Sequence, residues 1–275
     1  MRSQCAPINP LRGGCRLNYG MHISSSGALT SMYRLDALTN NLANVNTVGF
    51  KPHTPYTRQR DVARIEDNLP FMDSNALLEQ LGAGVQLAPT RIEFTQGSLS
   101  STGNPLDVAI AGEGFLTVKA EASGDTAAFH LTRDGRLTID QSGQLVMSTS
   151  GRPVLDTAGQ PIRLDESADI KFGSDGSVYQ NNQPVAKLRL VDVPDRSRLT
   201  KKGEGLFTIT NDALEGMTTA KGQLKQGMVE NSAVNEIAAL MAVQSAASDV
   251  SSNLDMIRYH DQLMDRAINR LGRAV

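Results

Sequence analysis

Apolar residues recur at heptad spacing towards both ends of the chain and alternate with polar ones between them. Ala28, Leu35, Leu38, Leu42 and Val45 occupy a-and-d positions, Ser31 is the one polar member, and Leu29 and Met32 widen the stripe. The pattern predicts a helix from about His22 to Val45, with Ser24, Ser25 and Ser26 offering N-cap oxygens. Asn44, Asn46 and Gly49 end it through their tolerance of left-handed angles, and Pro52 and Pro55 stop it from restarting. At the far end Leu240, Val243, Ala247, Val250, Leu254, Ile257, Met264, Ile268 and Leu271 form a second seam, broken only at Asp261. That helix is expected to start near Ser232, with the Ser232 hydroxyl as cap, and at ~40 residues it would be ~60 Å long. Seams sustained this far predict a coiled coil or bundle. The chain leaves by one helix and returns by the other, so the pair is expected to run antiparallel.

Between the helices the period changes. Residues 57–84 are mixed and charged and read as an extended or partly helical arm. From Val85 the signal is β: Val85, Leu87, Thr90, Ile92 and Phe94 lie between turn residues. Leu106–Ile110 alternates and, through Gly112-Glu113-Gly114, predicts a hairpin with Phe115–Lys119. Phe129–Thr132, Arg136–Ile139 and Gln144–Met147 follow, separated by Asp134-Gly135 and Ser142-Gly143 turns. Further strands are expected at 169–172, 178–180 and 187–192, with 206–209 closing the domain. Short strands at this spacing predict a sandwich or barrel. The fold class predicted is α+β, with N- and C-terminal helices forming a coiled-coil-like core around a central all-β domain.

Composition narrows the class. The 275 residues are 40% hydrophobic and 20% charged, with a net charge of −2. A basic excess typical of nucleic-acid binders is absent, and no apolar run reaches the ~18 residues of a membrane span. Both cysteines, Cys5 and Cys15, lie in an opening segment rich in Pro, Gly and Arg that has no apolar signal core. Residues 1–20 read as a spurious upstream extension with Met21 as the true start, or as a flexible tail; a Cys5–Cys15 disulfide is a third alternative.

Candidate chemistry is sparse. His22, His53, His130 and His260 stand at no metal-ligand spacing. No nucleophile elbow, phosphate loop or dinucleotide fingerprint occurs, and Gly112-Glu113-Gly114 lacks a third glycine and a following helix. Asp134-Gly135 with Asp140 lacks the alternating ligands of a calcium loop. Asp107 and Asp175 read as turn groups. Arg196, Arg198, Lys201 and Lys202 read as a solvated basic face, with a contact to an acidic neighbour as the alternative. No cofactor and no enzymatic role are expected.

The stretch Asn40, Asn41, Leu42, Ala43, Asn44, Thr47, Gly49, Phe50 and Lys51 resembles the N-terminal signature of the flagellar rod and hook protein family. Thr102, Gly103, Leu106, Asp107, Ala109, Ile110, Gly112, Gly114 and Phe115 are similar to its second signature, and Glu230–Met241 resembles its C-terminal helix start. The resemblance covers Met21 to Gly272, with departures at Ala233, Ala239, Ala247-Ser248 and Val250. It implies an exported structural subunit of the basal-body rod. Residues 21–50 and 228–275 would form a discontinuous helical polymerisation core, 51–95 an extended arm and 96–227 a β-rich outer domain. The assembly seam would be Leu35, Leu38, Leu42, Val45, Leu240, Val243, Val250, Leu254, Ile257, Met264 and Ile268, with termini loosely ordered until assembly buries them. Implied partners are further copies, neighbouring rod and hook axial proteins and the flagellar type III export apparatus, with no nucleic acid and no membrane insertion. The location implied is the periplasmic rod, reached without a cleaved signal. The chain is short for a hook protein, and Val185–Val191 with Gly205-Leu206-Phe207 is more similar to proximal than to distal rod proteins. The alternative from the residues alone is a secreted oligomeric binding module that uses the β-domain.

Overall fold

A computed structural model of the chain describes residues 19–62, 65, 82, 84–120, 129–165, 167–209 and 216–271. The chain divides into two compact units. One draws on Met1–Leu35, Pro55–Pro89 and Gln244–Val275, the other on Asp36–Thr54 and Thr90–Val243. Helix α1 (Tyr19–Ala43) and helix α2 (Glu236–Leu271) each pass from one unit into the other.

The second unit is a β-body. Its main sheet has the order β13-β14-β6-β5-β12-β15. These are Leu199–Gly203, Leu206–Ile209, Phe129–Thr132, Phe115–Lys119, Leu190–Asp192 and Thr218–Thr219. Every neighbouring pair is antiparallel. β9 (Ile170–Phe172), β10 (Ser177–Gln180) and β11 (Gln183–Lys187) form a second sheet, and β7 (Leu137–Ile139) pairs with β8 (Leu145–Met147). Two apolar clusters fill the body. The larger gathers Val108, Leu116, Leu137, Leu145, Val178 and Leu188. The smaller is built on Phe115, Leu131, Val193 and Phe207, with Phe94 edge-on to Phe115 at 5.6 Å between centroids.

The start and end of the body are zipped together. β3 (Leu99–Ser101) pairs with β17 (Met228–Glu230), and β4 (Val108–Ala111) pairs with β16 (Gln223–Gln226). The expected β4–β5 hairpin is therefore not formed. Gly112 and Gly114, at φ 101° and 132°, turn the chain out of β4, and β4 takes its partner from near the C-terminus. The single strand expected at 187–192 is broken into β11 and β12 at Leu188-Arg189, and β14 does not close the domain, since β15 to β17 follow.

The predicted coiled-coil-like core is a correction. The described residues form two helices and a mostly β body, and among them no coiled-coil core of interlocked apolar seams is formed. α1 also begins earlier than expected, at Tyr19, so Ser24–Ser26 lie inside the helix. The Ser26 hydroxyl donates back to the Ile23 carbonyl at 2.8 Å instead of capping. α2 is capped by Asn235, whose Oδ1 accepts the Ala238 N–H at 3.0 Å; Ser232 only closes a turn by accepting Val234 N–H. In the arm, β1 (His53–Gln59) pairs with β2 (Val85–Ile92). Residues 63–64, 66–81 and 83 of the arm, and 1–18 of the opening segment, lie outside the described residues.

Close backbone approach fixes one position sharply. Val108 N–H donates to Gly135 O at 2.9 Å, and a Cβ on Gly135 would stand 1.6 Å from the Val108 carbonyl oxygen. The Gly135→Ala variant is expected to lose about 3 kcal/mol or more, because backbone must move on both sides. Urea unfolding of the purified chain measures it; a loss below about 1 kcal/mol would refute this close contact.

Candidate functional site

In the first unit α1 lies along α2 through small and polar residues. Asn253 donates to Ser31 Oγ at 3.3 Å, and Arg34 stands 3.7 Å from Asp249. The His260 ring lies over Gly20 and the Asn253 amide over Gly27. The contacts step in opposite directions along the two helices, so the pair is antiparallel. They are weak: the Arg34–Asp249 pair is half exposed, where such pairs contribute at most about 1 kcal/mol. Ser24, Ala28 and Thr30 are the buried positions of this part of α1, whereas Leu29 and Met32 point to solvent.

The large apolar residues are left open. On α2, Leu254, Met256, Tyr259, Leu263, Met264 and Ile268 are all exposed, with Ile268 at 65%. Val250 and Ile257 are half-buried. In the body unit Leu240 is exposed at 57%, beside exposed Ile237 and Met241, and Val243 is half-buried. Leu35, at the end of the first unit's share of α1, and Leu38, Leu42 and Val45 in the body are half-buried. Within the first unit, exposed large apolar side chains thus recur along α2 from Leu254 to Ile268.

The N-terminal signature sits in the body, and its residues bond inward. Asn41 makes a reciprocal pair with His53: its Nδ2 donates to His53 O at 2.7 Å and its Oδ1 accepts His53 N–H at 2.8 Å. Asn44 caps the end of α1 by donating to Asn40 O at 2.9 Å, and accepts from Thr47 Oγ1 at 3.1 Å. Ala43 is exposed and Leu42 half-buried. Gly49, at φ 68°, donates to Glu230 O at 2.7 Å; a Cβ there would meet the Arg133 carbonyl carbon at 2.6 Å. Phe50 is buried and accepts Ala233 N–H at its carbonyl.

Lys51 is fully buried. Its ammonium donates to Glu230 Oε1 at 2.5 Å and to the Thr95 carbonyl at 2.7 Å. Glu230, equally buried, also accepts from Arg133 Nη1 at 3.0 Å and from Gly97 N–H at 3.0 Å. Arg133 donates its other terminal nitrogen to Gly112 O at 2.9 Å. Burial pushes Lys51 below the usual lysine value despite the hydrogen bond and charge of Glu230, and it lowers Arg133 in the same way. Lys201 donates to the Lys51 carbonyl and lies 3.9 Å from the Phe50 ring centroid; desolvation lowers it to about 8. Losing Glu230 alone would strand two buried cations, which elsewhere costs about 3–5 kcal/mol.

The second signature is a self-bonded loop. Thr102 and Asn104 donate to Asp107 at 2.7 and 3.0 Å, and Gly227 N–H donates to the Asp107 carbonyl. Gly103, at φ 73°, turns the loop, Leu106 packs on the larger cluster, and Ala109 and Ile110 are buried in β4. Within the basic cluster Arg198 and Lys202 are exposed, Arg198 pairing with Asp195 at 2.9 Å, whereas Arg196 meets acidic neighbours, Glu113 at 2.8 Å and Asp192 at 3.4 Å. A cleft of about 330 Å³ opens beside the signature, lined by Asn40, Asn44, Thr47, Phe50, Lys201 and the Gly203–Phe207 turn. Sequence reasoning gave Arg133 no role, took Glu230 only as the start of a motif and put Lys201 in a basic cluster; only the third dimension brings Glu230 together with its cations.

None of the described helices is long and apolar enough to cross a membrane. The basal-body rod protein family model matches residues 21–51, and the model of the D1 domain of the flagellar hook proteins FlgE, FlgF and FlgG matches residues 109–180. The chain is 33% identical over 263 residues to the basal-body rod protein FlgF of Caulobacter vibrioides, covering 94% of this chain and 99% of that one. It is 32% identical to the rod protein FlgG of Buchnera aphidicola over 89% of this chain and 96% of the relative. The hook-basal body complex protein FlhO of Bacillus subtilis is 28% identical over 92% of this chain and 98% of its own length. With relatives aligned along nearly their whole lengths, and both helix-signature and β-body matched, the chain belongs to the flagellar basal-body rod protein family.

Proposed function

We propose that this chain polymerises with further copies and neighbouring axial proteins through its terminal helices, and that it transmits torque from motor to hook as a purely mechanical part. The observation that carries the reading is the uncovered apolar face of α2, from Leu254 to Ile268. Burying one Leu, Ile or Met side chain is worth about 1.5–3 kcal/mol, so several per subunit outweigh the ordering cost of a helix end. The contacts we propose are heterologous, and a rotation that does not close makes a helical filament. Torque is then spread over many packed helices instead of one hot spot. A chain whose helix pair is held only by weak polar contacts also suits passage in an open form through the flagellar type III export apparatus without a cleaved signal. The location proposed is the periplasmic rod. Within it, the sequence of β11–β12 and of the turn into β14 supports a proximal position.

In a strain lacking this gene, electron cryotomography is expected to show motors with inner rings and neither rod nor hook; complete rods would overturn the axial role. Leu254→Asp and Ile268→Asp replace exposed side chains, so each should change the unfolding free energy of the purified chain by less than about 0.5 kcal/mol. Both should abolish rod assembly and swimming. Wild-type motility in both variants would sink the assembly-face argument.

A further inference from the structure

We infer that the Asn40–Lys51 signature is an intrachain anchor and not a contact between subunits, with Glu230 as the positioning residue that holds the roots of both helices to the β-body. The inference deepens the assembly reading, because it sets which part of each helix is ordered before assembly. Three observations carry it. The body unit takes in residues 36–54 and continues to Val243, so the last turns of α1 and the first turns of α2 belong to it. The signature's polar groups are satisfied inside that unit: Asn41 by His53, Gly49 by Glu230, and Lys51 by Glu230 and Thr95. Glu230 closes β17 opposite Leu99, five residues before the Asn235 cap of α2, so one carboxylate ties the exit of α1 and the approach to α2 to the same strand pair.

The anchor divides each helix by function. Residues 36–54 and 228–243 are preformed in the free subunit. The segments 21–35 and 244–271 are held by weak polar contacts and are the parts that order on assembly. The boundary therefore lies within the helices, not at residues 50 and 228. A subunit built in this way keeps its helix roots fixed to the body while their distal halves stay free to find neighbours.

Hydrogen exchange of the full-length wild-type monomer, read by mass spectrometry, tests the boundary directly. Slow exchange is expected in 41–54 and 228–243, with exchange at least ~100-fold faster in 21–35 and 256–271. Uniformly fast exchange across both helices and the signature would overturn the inference. Glu230→Gln should then speed exchange in 41–54 and 228–243 on the order of 100-fold while β5, β6 and β14 keep wild-type protection. Loosening of β5, β6 and β14 to the same extent would make Glu230 merely part of the core and would also overturn it. The double variant Lys51→Met, Glu230→Leu removes Lys51's charge together with its partner. Recovery of protection there, relative to Glu230→Gln, supports the anchor, and protection no better than in the single variant counts against it. These readouts are made on the monomer, so they stand or fall apart from the rod phenotypes of the Leu254 and Ile268 variants.

Discussion

A single buried carboxylate bears most of the connectivity of this fold. Glu230 accepts from Lys51, Arg133 and Gly97 with no access to water. Those partners come from the end of the helix signature, from the turn after β6 and from the segment before β3. The pairs β3–β17 and β4–β16 bring the two ends of the body side by side, and the ion cluster is the charge-carrying end of that zipper. A buried ion pair is not a strong source of stability, because desolvation offsets much of its attraction. Its effect here is geometric. Lys51 and Arg133 also donate to the carbonyls of Thr95 and Gly112, so the cations that Glu230 meets are themselves tied to the backbone.

The helices show the opposite economy. Where α1 meets α2 the residues are Gly20, Gly27, Ser31 and Asn253, which allow close approach but offer little apolar area. The residues that could have made a tight coiled coil within the chain, such as Leu254 and Met264, stay exposed. A chain that sealed these side chains internally would be a stable monomer with nothing left to drive polymerisation. On the proposed reading, weak internal contacts leave the free energy of ordering to be supplied in the assembled state.

The local elements were legible in the sequence, and the distant pairings were not. Alternation found β5 and the β7–β8 hairpin because strand and partner are adjacent and the Ser142-Gly143 turn announces the reversal. It failed at β4, where Ile110 pairs with Leu224, because nothing in a two-residue period names a partner so far along the chain. The heptads were read as a coiled-coil-like core around the β-domain, and no such core is formed among the described residues: periodicity reports that a face is apolar, not what covers it. Ser31, the one polar member of the α1 stripe, lies at the contact together with the small residues Gly20 and Gly27, which the heptads did not mark. The signature residues were found as a motif, but Lys51 carried no sign of burial, since its partners lie 44 and 179 residues away.

The polar and small residues of the signature have a task that its apolar ones do not share. Asn41, Asn44, Thr47 and Gly49 finish a helix, and each meets a backbone or side-chain partner within the body. A leucine at any of these positions would add stickiness where the chain needs a fixed bend, and at Gly49 it would also collide with Arg133. Order at the helix roots comes from directional bonds that admit one geometry. Attraction at the helix ends comes from apolar area that admits many partners until a neighbour selects one. On the proposed assembly both are needed, because a force collected by packed helices would reach the body only through roots that do not slip.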